Sequence, residues 1–392
     1  MTTSPVFCTI LARNYLPKAL TLADSLQRHD GQTLRVLLID VARDEDLPSH
    51  PGVELLSTEA LGLPEREVLH YATIYDLVEL ATAVKPVLLK QLLRDHEQAF
   101  YLDPDTYLAA PMVDLPDLLS GTEGGILLTP HFLYPPRPGD PMSEGHLLTV
   151  GFYNLGFCGV DRRALDFLDW WWGHLQTECL FDPMSGLFVD QKWMDVGAPL
   201  WRAGGMRHHG YNVGVGNLHE RPLTEVDGVL RAGPDPLRLF HFHSFDTSQP
   251  QELSVRFKHS TADLRASGAV DKLCLEYAAI LRRFEEELGD PPAYPYWTDT
   301  RGRRLGRQLR RSYRQAHLAG ASLPLPFVAA EADAWEEWRR GAWKSSARWL
   351  VGDAAKSVRS VLPEQVAAAQ KRFPRLTGKL RSDYVSDSGM WG

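Results

Sequence analysis

The sequence predicts an α/β protein with a mostly parallel β-sheet, followed by a mainly helical C-terminal region. Residues 6–11 and 34–39 are apolar and strand-like, and a segment with an approximate apolar stripe lies between them. A strand, a helix and a second strand in this order favour a βαβ unit with parallel strands. From about residue 260 the apolar residues recur with helical spacing. These observations divide the chain into residues 1–260 and a helical, basic region of residues 261–392.

The composition is that of an ordinary globular protein. Of the 392 residues, 44% are hydrophobic and 23% are charged. The net charge of −8 is distributed unevenly, since residues 301–392 carry 18 Lys and Arg against 8 Asp and Glu, and residues 1–300 carry 24 against 42. Such asymmetry bears on partners and not on the fold. We expect no nucleic-acid partner.

Cysteine usage and hydropathy bear on the location of the protein. Cys8, Cys158, Cys179 and Cys274 lie far apart without a CxxC pair, and the N-terminus lacks the pattern of a secretory signal. We therefore expect reduced thiols in a cytoplasmic protein. No apolar run approaches the length of a transmembrane helix, so we expect any membrane contact to be peripheral, at the inner face of the membrane.

Polar residues follow several of the predicted strands. Asn14 and Tyr15 come after the first strand, Asp40 closes the second, and Asp103 and Asp105 follow a third at residues 98–102. In parallel sheets, ligands gather at the carboxyl ends of strands. One ligand site could therefore use all five residues.

The segment Asp103-Pro104-Asp105 is an unusual end for a buried strand. A carboxylate there must be solvated, paired or bound to a cation, because burying it bare costs several kcal/mol or more. Pro104 fixes one φ angle and bends the chain, so that Asp103 and Asp105 can converge on one Mg²⁺ or Mn²⁺ ion. The alternative is a plain turn, since Asp and Pro are common turn formers.

Lys85 lies within a helical segment, residues 69–93, that Pro86 is expected to interrupt. Its ammonium group is either a solvated helix charge or a phosphate contact. Residues 131–145 are rich in Pro and Gly and predict a surface loop, which in compact domains often serves as a lid or a recognition element.

Three further polar residues are candidates for the same site. Asn154 lies inside a predicted strand at residues 149–160 and is either a satisfied core amide or a ligand contact. Asp190 and Gln191 begin a predicted short helix and offer a carboxylate and an amide. Alternatively, Asp190 is a helix N-terminal acid favoured by the dipole.

Residues 237–243 alternate in the manner of a strand and place His241 and His243 on one face. A lone strand histidine is usually structural. A histidine near two aspartates could instead complete a site with two oxygen ligands and one nitrogen ligand for Mn²⁺ or a similar metal.

The C-terminal region combines a dense basic segment at residues 301–314 with Trp335, Trp338 and Trp349. A basic segment beside exposed tryptophans could contact an anionic membrane surface. A homodimer through this region is a second interpretation. In a third, the arginines solvate a helical cap over the N-terminal domain.

Taken in order, these motifs identify a resemblance. They are Ala12-Arg13-Asn14-Tyr15, Asp103-Pro104-Asp105, Asn154 within FYNLGF, Asp190-Gln191, and His241 within HFHSFD. Over about residues 5–315 the chain resembles the GT-A glycosyltransferases that use nucleotide sugars, in particular the retaining family-8-like group. It looks closest to bacterial members from surface-polysaccharide and natural-product glycosylation.

The resemblance implies a GT-A (Rossmann-like) catalytic domain at residues 1–260 and a role for each motif. Asp103 and Asp105 match the metal-binding DxD, and His241 matches the third protein ligand of Mn²⁺ or Mg²⁺. Asn14 and Tyr15 match the nucleotide-contacting segment. Asp40, at the end of the second strand, and Lys85, as a phosphate contact, are further candidates for nucleotide binding. Asn154, Asp190 and Gln191 match positions that line the donor sugar and the reaction centre.

The implied function is metal-dependent transfer of a sugar from a nucleoside diphosphate sugar, with UDP-sugar favoured, to a hydroxyl of a saccharide, lipid-linked or small-molecule acceptor. The family suggests retention, with Asp190 or Gln191 on the β-face of the sugar; in an inverting route Asp190 would be the base. One alternative is a non-catalytic nucleotide-binding scaffold. Another is a sugar nucleotidyltransferase, which the absence of glycine from residues 7–16 disfavours.

Overall fold

The computed structural model of the chain describes residues 5–138, 140, 142–250, 252–255, 268–347, 349, 351–352 and 354. The predicted boundary between residues 260 and 261 lies outside these ranges.

The strands of the described residues are short apart from β7. They are β1 (Val6–Leu11), β2 (Leu34–Leu38), β3 (Val53–Leu56), β4 (Gln98–Leu102), β5 (Thr106–Leu108), β6 (Ile126–Pro130), β7 (Tyr153–Asp161), β8 (Phe181–Asp182), β9 (Leu187–Phe188), β10 (Gly204–Gly205), β11 (Val213–Gly214), β12 (Leu223–Val226), β13 (Val229–Ala232), β14 (Asp235–Pro236) and β15 (Leu239–His241).

The α-helices alternate with the strands in the first half of the chain and predominate after β15. They are α1 (Leu16–Asp30), α2 (Glu65–Ile74), α3 (Leu77–Ala83), α4 (Lys85–Leu92), α5 (Leu115–Ser120), α6 (Glu144–Val150), α7 (Leu165–Glu178), α8 (Met194–Leu200), α9 (Ala269–Leu288), α10 (Arg307–Leu318) and α11 (Ala332–Gly341). No helix within the described ranges has both the length and the apolar character that crossing a bilayer requires.

The predicted α/β class with a mostly parallel sheet is confirmed. Seven strands form the central sheet in the order β10-β6-β7-β4-β1-β2-β3. Strand β1 pairs in parallel with β2 and β4, β2 with β3, and β10 with β6; only β7 runs antiparallel to its neighbours β4 and β6. The inner strands β1, β2 and β4 are nearly continuous apolar runs, which is typical of parallel sheets buried on both faces.

Alternation along β1 divides the apolar core between the two faces of the sheet. Cys8 and Ile10 pack in a cluster with residues of α2, α4 and α7, while Phe7 and Leu11 pack in another with residues of α1 and α5. Successive strand residues point to opposite faces, so one buried strand supports both clusters.

Strand β7 brings its first residues to the functional edge of the sheet because it runs against its neighbours. Its partners at that edge are the last residues of β4 and β6, with Leu102 opposite Phe157 and Thr129 opposite Asn154. The carboxyl ends of the parallel strands and the amino end of β7 therefore meet.

A second, three-stranded sheet joins the segment after Asp105 to the histidines of the C-terminal half. Strand β5 pairs antiparallel with β15, and Thr106 lies opposite His241. This register sets His241 beside the Asp-Pro-Asp turn, although more than 130 residues separate them in the sequence.

Two predicted elements differ in the structure. Residues 149 and 150 belong to helix α6, and the strand begins only at Tyr153, after Gly151 turns the chain with φ 113°. The helical segment at residues 69–93 is interrupted twice, since Asp76 starts α3 with a capping box to Glu79 in addition to the break before Pro86. A reciprocal cap of this kind satisfies two otherwise unpaired N–H groups.

The prediction that the C-terminal arginines solvate a cap is wrong for α10, where Arg310, Arg311 and Arg314 are buried. Arg310 donates to the carbonyl oxygens of Ala72, Thr73 and Tyr75, at the end of α2, and to that of Tyr296. The last carbonyls of a helix have no partner within the helix and attract a cation. The guanidinium therefore caps α2 and joins α10 to the body of the protein.

The tryptophans of this region are not all available to a membrane. Trp335 is buried, its indole N–H donates to Asp299 Oδ2 at 3.0 Å, and it stacks on Trp338 with ring centroids 5.0 Å apart. Trp335 shares the cluster of Cys8 and Ile10. Membrane contact and dimerization through this region stay predictions.

We expect Arg310→Met to lower the free energy of unfolding by about 2–4 kcal/mol, because the variant leaves several buried carbonyl groups of α2 without a donor. The matched control is Arg340→Met, which removes an exposed arginine paired with Glu336 and should cost less than about 1 kcal/mol. Urea unfolding of both variants measures the difference. Equal losses would contradict the capping role.

Candidate active site

Asp103 and Asp105 flank a tight turn between β4 and β5. The turn is closed on the Asp103 carbonyl, which accepts the N–H of Thr106 at 3.0 Å and its hydroxyl at 2.7 Å. His241 Nε2 lies 3.1 Å from Asp105 Oδ1 and 3.8 Å from Asp103 Oδ2. The segment is thus both a turn and a convergence of two carboxylates with an imidazole.

The electrostatics of this group favour a cation. Burial raises the pKa of Asp103, and the neighbouring Asp105 adds to that effect against the opposing charges of Lys85 and His241. Burial lowers the pKa of His241, but the negative charges of Asp105 and Asp103 outweigh burial, so the pKa of the imidazole is raised. Two partly buried carboxylates repel one another, and a divalent ion between them removes that repulsion.

The distances are compatible with ligands of a single ion. Donor atoms bound to one ion at about 2.1 Å lie about 3 Å apart when adjacent and about 4.2 Å apart when opposite. Ligand atoms of Asp105, His241 and His243 all lie within 4.8 Å of one another. Asp105, His241 and His243 can therefore hold a divalent metal, and Asp103 Oδ2 lies next to them, 3.8 Å from His241 Nε2.

Asn212 orients His241 and was not among the predicted site residues. Its side-chain N–H₂ donates to Thr129 Oγ1 at 2.7 Å and to the Asn154 carbonyl at 3.1 Å, which turns its Oδ1 toward His241 Nδ1 at 3.0 Å. His241 Nδ1 therefore carries a proton, and Nε2 is the nitrogen that a bound metal ion would use; without an ion, the raised pKa of the imidazole lets Nε2 donate to Asp105 Oδ1. Asn212 has φ 52°, which Asn tolerates better than most residues. The run of Gly and Asn residues around it, at residues 211–217, is the sequence feature that could have indicated it.

Lys85 and Asp190 form a buried ion pair. Lys85 Nζ donates to Asp190 Oδ2 at 2.6 Å and to the Leu155 carbonyl at 3.2 Å, and both side chains are almost completely excluded from solvent. The interpretation of Lys85 as a solvated helix charge is therefore wrong. Asp190 makes no helix-capping hydrogen bond. Burial raises the pKa of Asp190, and Lys85 opposes that shift.

Lys85 also connects the ion pair to the turn. Its ammonium lies over the ring of Tyr101, 4.1 Å from the centroid, and the Tyr101 hydroxyl donates to Asp103 Oδ1 at 2.8 Å. The cation, the ring and the carboxylate form a continuous chain of contacts. Such a chain fixes the direction of Asp103 before any ligand binds.

Gln191 and Asn154 hold the backbone around the site. Gln191 Oε1 accepts the N–H of Leu155 at 3.2 Å, and its Nε2 donates to the Val150 carbonyl at 3.0 Å. Asn154 Oδ1 accepts the N–H of Gly156 at 2.9 Å. Both amides are engaged through their oxygen atoms, so they position the segment between α6 and β7.

Most of these residues line one cleft of about 460 Å³, although Asp105 lies outside its lining. Its lining contains most of the predicted site residues, together with polar residues from α6 and from residues 211–217. The lining includes Lys85, Asp103, Asn154, Asp190, Gln191, His241, His243, His131, His146, Asn212, Asn217 and Arg307. Burial lowers the pKa of His131 to about 3, so this cleft histidine is neutral at pH 7.

The predicted nucleotide contacts after β1 and β2 do not line this cleft. Asp40 is buried and accepts from the Arg13 N–H at 3.0 Å and from its Nε at 3.1 Å, a partnership that the sequence did not indicate. The Tyr15 side chain is 43% exposed. Asn14 Oδ1 is buried and has no hydrogen-bond partner among the described residues, a state that is rare in native proteins.

Gly156 permits the close approach of His241. A Cβ atom on Gly156 would lie 2.5 Å from His241 Cε1 and 2.6 Å from its Nδ1. We expect Gly156→Ala to displace the imidazole and to weaken Mn²⁺ binding by about 10-fold or more. Isothermal titration with Mn²⁺ measures this. The control is Gly173→Ala, in helix α7 with open space around its Cβ; equal affinities of the two variants would contradict the prediction.

Comparisons with known proteins yielded similar structures only. No protein-family model matches the sequence, and no curated protein matches it. A galactosyltransferase, LgtC, solved with donor and acceptor sugar analogues, aligns over 70% of this chain and 95% of its own with 14% identity and a TM-score of 0.39.

Mouse xyloside xylosyltransferase 1 in its apo form aligns over 61% of this chain and 97% of its own, with 11% identity and a TM-score of 0.36. The bifunctional glycosyltransferase WbbM aligns over 54% of this chain with 14% identity and a TM-score of 0.34, and this chain spans 40% of its length. At these values the chain is similar to the three structures without being assigned to their family.

Proposed function

We propose that this protein is a metal-dependent glycosyltransferase of the GT-A type that transfers a sugar from a nucleoside diphosphate sugar to an acceptor hydroxyl. One observation carries the proposal: Asp103, Asp105 and His241, from two distant parts of the chain, converge at the edge of a cleft of about 460 Å³. A paired carboxylate site beside a cleft at the carboxyl edge of a parallel sheet suits a phosphorylated ligand that binds through a metal.

The ion in this proposal is Mn²⁺ or Mg²⁺, held by Asp103, Asp105 and His241. When bound, such an ion neutralises the charge that develops on a departing diphosphate. Because Asn212 keeps a proton on Nδ1 of His241, Nε2 is the nitrogen that would bind the ion beside the two carboxylates. The residues present therefore fit the metal.

The paired state of Asp190 supports a route with retention. Its carboxylate already accepts from Lys85, so it is poorly placed to take the proton of an acceptor hydroxyl. In the proposed step the bond between the anomeric carbon and the leaving phosphate oxygen breaks, the acceptor oxygen bonds to that carbon on the same face, and the phosphate takes the proton. The carboxylate of Asp190 stabilises positive charge at the sugar, and Gln191 fixes the backbone around it.

The nucleotide is proposed to bind along the residues after β1 and β2. Asn14 offers a buried acceptor oxygen that no described residue contacts by a hydrogen bond, and the half-exposed ring of Tyr15 offers a face for a base. Asp40, held by Arg13, is the candidate for the ribose. UDP is the first choice of nucleotide. Residues 1–260 would form the catalytic domain, with residues 261–392 attached to it.

The finer features are also proposals: hexosyl transfer in the cytoplasm of a bacterium, at a saccharide, lipid-linked or small-molecule acceptor, in polysaccharide or natural-product biosynthesis. The first experiment is calorimetric titration of the chain with UDP, GDP, dTDP and CDP, each with and without Mn²⁺ or Mg²⁺. Binding of one nucleotide that requires the metal supports the proposal and identifies the donor class.

Hydrolysis of the corresponding nucleotide sugar, which needs no identified acceptor, then tests catalysis. Nucleotide binding without any hydrolysis or transfer would favour the non-catalytic scaffold. Formation of a nucleotide sugar from a nucleoside triphosphate and a sugar 1-phosphate would favour the nucleotidyltransferase. Either result overturns the proposal.

A further inference from the structure

We propose that His243 is a fourth protein ligand of the metal, so that two imidazoles and two carboxylates hold the ion and favour Mn²⁺, Co²⁺ or Zn²⁺ over Mg²⁺. The inference rests on the metal site of the proposed function and extends it. Neither the resemblance of the sequence nor the strand alternation assigned His243 to the metal.

The ligand atoms of His243, His241 and Asp105 lie close together. One nitrogen of His243, one of His241 and one oxygen of Asp105 lie within 4.8 Å of one another. The two imidazole rings have centroids 5.8 Å apart and planes at 82°. Rings in this relation can direct nitrogens to one ion from two sides.

The backbone next to His243 is tied to the Asp-Pro-Asp turn. The N–H of Phe242 donates to the carbonyl of Asp105 at 2.8 Å, which ties the residue between the two histidines to the Asp-Pro-Asp turn. The Phe242 ring is buried and stacks on the ring of Tyr277, with centroids 3.8 Å apart and ring planes 7° from parallel. Because the Phe242 side chain packs into the core, the side chains of His241 and His243, which flank it in the sequence, can both point toward the carboxylates.

The chain turns immediately afterwards and so keeps His243 at the site. Ser244 has φ 57°, and the N–H of Phe245 donates to the carbonyl of Phe242 at 3.1 Å. His243 is exposed and lines the cleft, whereas His241 is buried. The metal would therefore have a buried imidazole behind it and an exposed one at the mouth of the cleft.

The two imidazoles determine which ions the site prefers. Imidazole nitrogen suits Zn²⁺ and the later transition metals, while Mg²⁺ prefers oxygen ligands and water. A second imidazole therefore strengthens transition-metal binding more than Mg²⁺ binding. An ion of six-fold coordination held by these four residues would keep positions open for oxygens of the donor.

The experiment counts imidazole ligands directly and needs no activity. X-ray absorption of the full chain loaded with Zn²⁺ should show two imidazoles in the wild type and one in His243→Ala. Calorimetric titration without nucleotide should show that His243→Ala weakens Zn²⁺ and Mn²⁺ binding by at least about 10-fold, with a smaller change for Mg²⁺.

The matched control is His146→Ala, which removes another exposed histidine that lines the cleft outside the ligand cluster. It should bind Zn²⁺ and Mn²⁺ as the wild type does. His243→Gln, which retains a polar side chain, guards against a folding defect, and thermal melting of each apo variant checks it.

One imidazole in the wild type, no Zn²⁺ binding, or equal affinities of His243→Ala and His146→Ala would overturn the inference. The outcome is separable from that of the proposed function. Two imidazoles without any nucleotide-sugar binding would leave the metal site standing and refute the glycosyltransferase. Sugar transfer by a wild type that shows only one imidazole on Zn²⁺ would refute the role of His243 and leave the proposed function standing.

Discussion

The variant Asp105→Asn is expected to lose metal-dependent donor binding and to transfer sugar more slowly by on the order of 10³-fold or more. Asparagine keeps the size of aspartate and one acceptor oxygen but removes a full negative charge. Asp105 Oδ1 is the carboxylate atom nearest to His241 Nε2, at 3.1 Å, so the change falls at the centre of the ligand set. The backbone tie from Phe242 to the Asp105 carbonyl does not involve the side chain and should persist.

Two measurements belong to this prediction: calorimetric titration with Mn²⁺ and UDP, and the rate of nucleotide-sugar hydrolysis. The control is Asp290→Asn, at an exposed position outside the site, which should leave both unchanged. A melting temperature of Asp105→Asn close to that of the wild type shows that the fold is intact. Wild-type donor affinity in the presence of metal would exclude Asp105 as a ligand.

The variant Lys85→Met is expected to lower the free energy of unfolding by about 3–5 kcal/mol, because it leaves the carboxylate of Asp190 buried without its partner. Asp190→Asn should cost a similar amount, since it strands the ammonium. The double variant should cost less than the sum of the two, because no unpaired charge is left. The difference between that sum and the cost of the double variant is the coupling energy of the pair.

The chain offers a matched control on the same helix. Lys90 of α4 pairs with Asp169 of α7, but these side chains are 42% and 56% exposed. Solvent screens such a pair, so Lys90→Met should cost less than about 1 kcal/mol. Urea unfolding of the five proteins, including the double variant, provides all the values. If Lys85→Met costs no more than Lys90→Met, the buried pair does not exist in solution.

Lys85→Met should also disturb the Asp-Pro-Asp turn, because Lys85, Tyr101 and Asp103 form one chain of contacts. The buried pair thus joins the stability of the protein to the geometry of its candidate metal site.

Local patterns determined the sheet and the turn. Continuous apolar runs, a helix between the first two strands and the Asp103-Pro104-Asp105 segment depend on neighbours in the sequence, and each is visible within a few residues. Two predictions about residues whose partners lie far away in the sequence were wrong. Lys85 is not solvated, since a carboxylate 105 residues away meets it in the core. Arg310 is not solvated, since it caps a helix about 235 residues earlier in the chain.

The sequence by itself therefore determined that the chain is α/β, that its sheet is mostly parallel, and that carboxylates follow a buried strand. The tertiary structure decided which groups those carboxylates meet. His241 reaches them through the antiparallel register of β5 and β15, Asn212 fixes its tautomer, and the anchoring of Phe242 sets His243 beside it. The physical reason is that a buried charge or ligand atom needs a partner in space, and only the closed fold determines which distant residue that partner is.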